Sequence, residues 1–412
     1  MANNDERGGG AGVAFLEQQS MSDSSTRSSK AVQIQNACEQ KDFQLLVQLA
    51  DSPGGLLEDH FRRLAWPILL ACPTASNDDD SSWRQLPRHK DEEQVQRDVD
   101  RAFVHYPNSM SKHLLQPPAL GKWQNQANST SDESEKTTQA RKRALFDLIG
   151  FHDIAQVVML VLGPDDAYLS IEAISLLRIR DYMLPSLAPA LKHLRLLPAI
   201  LQSADRELAG HVSLPHVHYA LPAALTLYAH DIEQYSDIAR LFDFILAHEP
   251  VMSIYLFAAI IMSRRETLLE IPAEDHDMLF FTLQKLPQPV DLEPLIADAL
   301  RVFAEHPPDR LPSRVWRGIS SSSALKTARS AERCCTLTEA EKHFQKQAEE
   351  VKWEEARQRA MQTAFRYRRP IATTAATVAI GAISIWLRRS GQDRYVLSII
   401  FSLLGVGQQG HG

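Results

Sequence analysis

The stretch that decides the interpretation of this chain is Val95-Gln96-Arg97-Asp98-Val99-Asp100-Arg101. In a helix, Val95, Asp98 and Arg101 follow one another at intervals of three residues and share a face. A carboxylate one turn before an arginine can hold the guanidinium in one orientation. Pro107 ends the segment soon afterwards, so Arg101 has the geometry of an arginine finger that is offered to a partner's phosphate. An isolated D-x-x-R is an ordinary surface ion pair in most proteins, so the neighbouring sequence has to decide.

Short motifs follow in a fixed order on both sides of this stretch. Upstream are Gly54-Gly55-Leu56, Arg62-Arg63 and Trp66-Pro67-Ile68-Leu69-Leu70. Downstream are Gly150-Phe151-His152-Asp153-Ile154, Leu177-Arg178-Ile179-Arg180-Asp181-Tyr182-Met183, Arg240-Leu241-Phe242-Asp243-Phe244-Ile245-Leu246 and Pro250-Val251-Met252-Ser253-Ile254-Tyr255. From about Ile34 to about Leu311, this series resembles the TBC domain of Rab GTPase-activating proteins. The V-x-x-D-x-x-R stretch is similar to the I-x-x-D-x-x-R motif of that family, and the series looks like the branch with a C-terminal membrane anchor.

The resemblance implies a fold and a mode of action. TBC domains are all-α and form a V of two helical lobes, and they insert two residues beside the nucleotide of a GTP-loaded Rab. Arg101 would be the arginine finger, Asp98 would orient it, and Gly150, His152 and Asp153 would contact the partner. Such a finger is worth roughly 10³–10⁵ in rate. The chain would then be a GTPase activator and no enzyme itself: it would need no cofactor or metal of its own, because the Rab binds the GTP and Mg²⁺.

One part of the family pattern is missing from the sequence. The resemblance leads us to expect a helix end and a Tyr-x-Gln before Gly150, where the glutamine would orient the attacking water. Instead, Leu145-Phe146-Asp147-Leu148-Ile149 runs directly into Gly150. About a dozen residues are absent by comparison with the family, and Gln156 does not match the motif. The alternative to an active GTPase activator is therefore a catalytically weakened, membrane-tethered protein that binds a Rab as a scaffold.

Composition excludes several other classes of function. The chain has 412 residues, a net charge of −7 and a pI near 6.1, which argues against a nucleic-acid binder with a strongly basic surface. The sequence contains no G-x-x-x-x-G-K-[ST], G-x-S-x-G or H-E-x-x-H motif and thus no recognisable nucleotide pocket or hydrolase site. A metal site is not expected at the histidines either, because no carboxylate or cysteine accompanies them at ligand spacing: His216, His218, His230 and His248.

The pattern along the chain predicts a long helical domain between flexible segments. Residues 1–30 have the composition of a disordered tail. Residues 31–315 are predicted to form the TBC domain, with a disordered insertion at about 108–139. Within it, the continuous apolar runs Ile154–Leu162 and Ile254–Met262 are too short to span a membrane and predict buried core helices. A serine-rich linker over residues 316–338 and a charged helix over residues 339–369 follow.

An uncharged segment near the C-terminus predicts a membrane anchor. Ile371–Leu387 is 17 residues without a charge, or roughly 25 Å of helix, which is the short end of a bilayer span. The predicted anchor, residues 370–388, is followed by a short tail, 389–412. The resemblance to the anchored branch of the family implies that the membrane is the endoplasmic reticulum or an early secretory membrane, and the basic flank before the anchor indicates that the bulk of the chain is cytosolic. A buried soluble helix is the alternative for the segment, and a hairpin with the apolar run Tyr395–Val406 is the alternative topology.

Overall fold

The structure, a computed structural model, describes residues 26–72, 150–163, 166–328 and 336–390. For residue 364 and residues 366–376 it describes the backbone only. The predicted finger residues Asp98 and Arg101 lie outside these ranges. Every regular element within them is helical, which confirms the all-α class, while the two-lobed arrangement stays a prediction. The chain divides into two compact units, Met1–Ala348 and Glu349–Gly412.

The helices are numbered here in chain order. They are α1 (residues 26–40), α2 (Phe43–Asp51), α3 (Asp59–Leu69), α4 (Phe151–Leu162), α5 (Ala167–Leu177), α6 (Ala188–Leu194), α7 (Leu196–Ala204), α8 (Arg206–His211), α9 (Leu221–Thr226), α10 (Tyr235–Ala247), α11 (Met252–Ser263), α12 (Arg265–Glu270), α13 (His276–Gln284), α14 (Leu292–Glu305), α15 (Ala324–Thr327) and α16 (Leu337–Ser390). Short 3₁₀ segments lie at Arg180–Met183, His218–Ala220, Pro308–Arg310 and Pro312–Gly318.

Short carboxylate side chains fix the start of three of these helices. Asp42, Asp205 and Asp275 each accept a hydrogen bond at 3.0 Å from a backbone N–H in the first turn of α2, α8 and α13. The first N–H groups of a helix have no partner within the helix, and an aspartate at this position satisfies one of them. The sequence thus sets where each of these helices begins.

Two helices that are apolar on nearly all sides form the centre of the core. Residues 252–261 of α11 are all buried, and α11 packs against α7 and α14. In α4, most residues after His152 are buried, and the helix packs against α3, α5, α9 and α10. A helix that is apolar all round belongs inside a domain. The prediction of buried core helices at Ile154–Leu162 and Ile254–Met262 is confirmed.

A buried ion pair joins the N-terminal motifs to α10. The Nε and Nη2 groups of Arg62 donate to the carboxylate of Asp243 at 3.0–3.2 Å. Trp66 Nε1 and the backbone N–H of Leu56 each donate to the same carboxylate at 2.9 Å. The Asp243 side chain is fully buried. A Cβ on Gly55 would lie 2.6 Å from Asp243 Oδ2, so the backbone there approaches the carboxylate as closely as only glycine allows.

The serine-rich segment predicted to be a flexible linker is part of this packed unit over its described residues. Ser322 and Ser323 are buried. Arg180 Nη2 donates to the carbonyl of Ser322 at 2.6 Å and also to Thr327 Oγ1. The backbone N–H of Ala324 donates to Asp181 Oδ2 at 2.7 Å. These bonds, made to residues more than 140 positions earlier in the chain, hold the segment in place, which its composition does not reveal.

The carboxylate at the centre of this second network is fully enclosed. Burial alone would raise the pKa of Asp181, but the His193 ring at 3.2 Å, the Arg180 charge and the Ala324 N–H hold it well below its usual range. Gln347 Nε2 donates to Asp181 Oδ1 at 2.6 Å. The start of α16 is therefore bonded to the same carboxylate as the serine-rich segment.

Helix α16 differs from the prediction in one respect. The charged helix 339–369 and the anchor 370–388 were predicted as two segments, but one helix runs from Leu337 to Ser390 without interruption, because Pro370 at their junction removes one hydrogen bond and does not have to end a helix. Among the described residues, no helix offers an apolar window long enough to cross a bilayer. The side chains of residues 371–376, within the predicted anchor Ile371–Leu387, are outside the description.

Candidate functional site

The described part of the predicted site lies at the N-terminus of α4. Gly150 is the residue before the helix and has a left-handed backbone, with φ +84°. A Cβ at this position would lie 2.6 Å from Thr226 Cγ2, at the end of α9. Glycine is thus required twice, for its backbone angle and for the close approach of α9. The role that the structure shows for Gly150 is to shape the backbone that presents His152 and Asp153.

Asp153 lies between two histidines. Its side chain is 5% exposed; His152 Nε2 lies 3.1 Å from Oδ1, and His230 Nδ1 lies 3.3 Å from Oδ2. The carboxylate is in the first turn of α4, where the helix dipole favours a negative charge. His152 is mostly buried, while the His230 side chain is 54% exposed. Asp153 therefore orients His230 at the surface, where about half of its side chain is open to a partner.

A second carboxylate, that of Asp231, lies beside this group. Asp231 Oδ2 is buried and has no hydrogen-bond partner among the described residues. The pKa of Asp231 is raised from 3.8 to about 6: burial raises it most, His230 lowers it, and the Asp153 charge raises it. An ionised carboxylate at such a place is costly unless a cation or donor pairs with it. The arrangement suits the approach of a basic or hydrogen-bond-donating group.

The loop that carries His230 and Asp231 has an unusual backbone. Leu227 and Tyr228 are consecutive, buried non-glycine residues with φ +49° and +69°. Each left-handed residue of this kind costs of order 1 kcal/mol or more, and such strain persists where the surrounding structure fixes it. The Tyr228 hydroxyl donates to the carbonyl of Ser253 at 2.5 Å, which ties the loop to the central helix α11.

Gln156 lies one turn further along α4 than Asp153. It is 6% exposed, and neither its Oε1 nor its Nε2 atom has a hydrogen-bond partner among the described residues. A buried amide with no partner is destabilising by roughly 1–3 kcal/mol. Gln156 does not match the Tyr-x-Gln motif of the resemblance, yet it lies one turn beyond Asp153 and its amide is unsatisfied among the described residues.

Sequence reasoning found only part of this arrangement. Gly150, His152 and Asp153 were predicted together, and the structure brings them together with Thr226, His230 and Asp231. Thr226, His230 and Asp231 lie more than 70 positions after Asp153 in the chain. His230 was expected to be an ordinary histidine. Nothing local in the sequence marks the left-handed turn that places them. Within the described ranges, no three His, Cys, Asp or Glu side chains are grouped as metal ligands would be.

Comparison with known proteins agrees with the motifs. The family model for the Rab-GTPase-TBC domain matches residues 149–269, a range that begins at this site and ends in α12. TBC1 domain family member 20 of Bos taurus is 28% identical over 303 residues, which is 69% of each chain. The human protein of that name is 28% identical over 287 residues, 66% of this chain and 65% of its own length.

A fungal relative extends the match. The GTPase-activating protein gyp10 of Schizosaccharomyces pombe is 28% identical over 291 residues, which is 69% of this chain and 74% of gyp10. The matched part thus covers about two thirds to three quarters of each relative. The family model and the relatives together support the Rab-GTPase-TBC family for this chain.

Proposed function

We propose that this chain is a GTPase-activating protein for a Rab-family GTPase. The observation that carries the proposal is the match of residues 149–269 to the Rab-GTPase-TBC domain, together with a relative that is named a GTPase-activating protein. The chain acts on the active site of its partner: the Rab holds the GTP and Mg²⁺, and this chain adds residues beside them. The exposed His230 and the partly exposed His152 form part of the surface that contacts the Rab, and the buried Asp153 holds the two rings in place.

Arg101 is the proposed arginine finger, and Asp98 holds it in position. The spacing of the two residues supports this assignment, because a carboxylate one turn earlier can accept from the guanidinium. The planar guanidinium stabilises the charge that develops on the phosphoryl oxygens in the transition state. This contribution is specific to the transition state, so it accelerates hydrolysis without requiring tight binding of the ground state.

The proposal is tested by a single-turnover GTPase assay of the full chain against a panel of GTP-loaded Rabs. At least one Rab should hydrolyse its GTP faster when the chain is present, with the rate saturating as the concentration of the chain rises. A chain that accelerates no Rab, while a TBC-domain activator used as positive control does so in the same assay, would contradict the proposal.

A second candidate function is a Rab-binding scaffold with weak activating power. The direct junction of Ile149 with Gly150, where the family pattern has Tyr-x-Gln, favours it. Without that glutamine, the attacking water has to be oriented by the Rab's own glutamine, and losing either contribution costs most of the acceleration. Insertion of a helix end and a Tyr-Tyr-Gln sequence between Ile149 and Gly150 should raise the stimulated rate by at least about 100-fold.

The proposed location is the endoplasmic reticulum or an early secretory membrane, through Ile371–Leu387. The uncharged sequence of this segment supports it, as does the exposure of its described apolar side chains, with Val378, Ile380 and Ile385 each more than 60% exposed. Removal of the residues after Arg369 should release the protein from membranes that retain the full chain through an alkaline wash. A reporter glycosylation site added after Gly412 becomes modified in the single-span topology and stays unmodified in a hairpin.

A further inference from the structure

An exposed apolar stripe runs along α16 before the uncharged segment begins. Trp353, Met361 and Phe365 are 77%, 50% and 68% exposed. They follow one another at intervals of eight and four residues, so they lie on one side of the helix, with Arg357 between the first two. Large apolar side chains at this density are costly in water and mark an interaction surface.

The charge around this stripe is mainly positive: residues 353–369 hold two glutamates, Glu354 and Glu355, and Glu355 accepts a hydrogen bond from Arg359 at 3.0 Å. Residues 356–369 contain five arginines and no aspartate or glutamate, although the chain as a whole has a net charge of −7. The five are Arg357, Arg359, Arg366, Arg368 and Arg369. Arginine beside tryptophan and phenylalanine is the combination found in helices that lie in the interface of an anionic bilayer.

We propose that the helical residues 353–369, here called the lipid-binding stripe, bind the surface of an anionic phospholipid bilayer. Trp353, Met361 and Phe365 enter the boundary between headgroups and acyl chains, and the arginines pair with anionic headgroups. The charge complementarity selects a lipid surface of this kind over a neutral one. The inference goes beyond the anchor at Ile371–Leu387, because it gives the membrane attachment a dependence on lipid charge and does not require that segment to insert.

Hydroxyl-radical footprinting of the full chain on vesicles tests the proposal directly. Oxidation of Trp353, Met361 and Phe365 is followed by mass spectrometry with phosphatidylcholine vesicles, with and without phosphatidylserine. Oxidation should slow several-fold on the anionic vesicles at 0.1 M salt. It should recover at 1 M salt, where the screening length falls from about 10 Å to about 3 Å. Met278 and Phe281, which are 53% and 61% exposed on α13, serve as internal controls and should be oxidised at an unchanged rate.

Matched variants separate the apolar and the charged contributions. Met361→Ser with Phe365→Ser should remove the protection of Trp353, while Met278→Ser with Phe281→Ser should leave it intact. Arg357→Gln with Arg366→Gln should weaken the apparent vesicle affinity about 25-fold, since each arginine near an anionic surface contributes about fivefold.

Three results would overturn the proposal. The first is equal protection on neutral and anionic vesicles, which would mean that the anchor alone draws the stripe to the lipid. The second is protection without vesicles together with a doubled mass in light scattering, which would make a second copy the occupant. The third is no protection under any condition. The alkaline-wash test of the anchor does not affect these three outcomes. The anchor and the lipid-binding stripe can therefore be refuted separately.

Discussion

The Nε group of Arg62 donates to both carboxylate oxygens of Asp243, at 3.0 and 3.2 Å, across a sequence separation of 181 residues. Trp66 donates to the same carboxylate, so residues from three of the motifs that first suggested the family meet in one buried place. Their role in this structure is to hold α3 against α10. This packing in turn fixes α4, which contacts both helices and begins at the candidate site.

Replacement of Asp243 by Ala should lower the free energy of unfolding by about 3–5 kcal/mol, because it leaves the Arg62 charge buried without a partner. Chemical denaturation measures the change. The control is Asp298→Ala, which removes an exposed partner of Arg301 and should cost less than about 1 kcal/mol. Similar losses in the two variants would show that the buried pair does not hold the helices together.

Replacement of Gly150 by Ala should destabilise the fold by about 1–3 kcal/mol, because alanine disfavours φ +84° and its Cβ would press on Thr226. Gly210→Ala is the matched control, since Gly210 lies in α8 with open space around it. That change should stabilise the protein by about 0.5–1 kcal/mol. Thermal unfolding of both variants measures the two changes in melting temperature. Changes in the same direction would contradict the geometry at Gly150.

Replacement of Asp231 by Asn should change how stability depends on pH. The pKa of Asp231 is raised from 3.8 to about 6 in the folded chain, so the folded state binds more protons than the unfolded state between these values. This carboxyl therefore lowers the free energy of unfolding as the pH rises from about 4 to about 6. Asp231→Asn should raise the free energy of unfolding at pH 7 by about 1–3 kcal/mol and leave it nearly unchanged at pH 3.5. Denaturant titrations at several pH values test this, and a gain independent of pH would refute the assignment.

Replacement of Gln156 by Met should raise the free energy of unfolding by about 1–2 kcal/mol, because it removes a buried amide that has no partner among the described residues. Gln347→Met is the control: its Nε2 donates to Asp181 at 2.6 Å, so its loss should destabilise. Stimulated GTP hydrolysis is measured on the same Gln156→Met protein. A more stable variant that has lost stimulation would identify Gln156 as a residue that meets the Rab or its attacking water.

The core helices could be predicted because their signal is local. Ile154–Leu162 and Ile254–Met262 are long enough to be helices and too short to be membrane spans, and their apolar character on all sides requires burial. The segment over residues 320–324 could not be placed in the same way. Its composition is that of a linker, and the groups that hold it, on Arg180 and Asp181, belong to a distant part of the chain.

The candidate site was predictable only where a contiguous motif carries it. Gly150, His152 and Asp153 follow one another, so a resemblance finds all three. His230 and Asp231 reach the same place through the left-handed residues Leu227 and Tyr228, and leucine and tyrosine give no local sign of such a turn. The position of the Asp231 carboxylate beside Asp153 could therefore be learned only from the folded structure.

The role of Arg101 as the arginine finger is tested most directly by the single-turnover rate of GTP hydrolysis by a responsive Rab with Arg101→Ala, compared with the unaltered chain. Arg97→Ala, in the same stretch but one residue before Asp98, is the matched control. Arg101→Ala should abolish the stimulation, Arg101→Lys should restore little because lysine lacks the planar fork, and Arg97→Ala should retain the stimulation. Unchanged GTP turnover with Arg101→Ala, on a Rab that the unaltered chain stimulates, would contradict this role of Arg101.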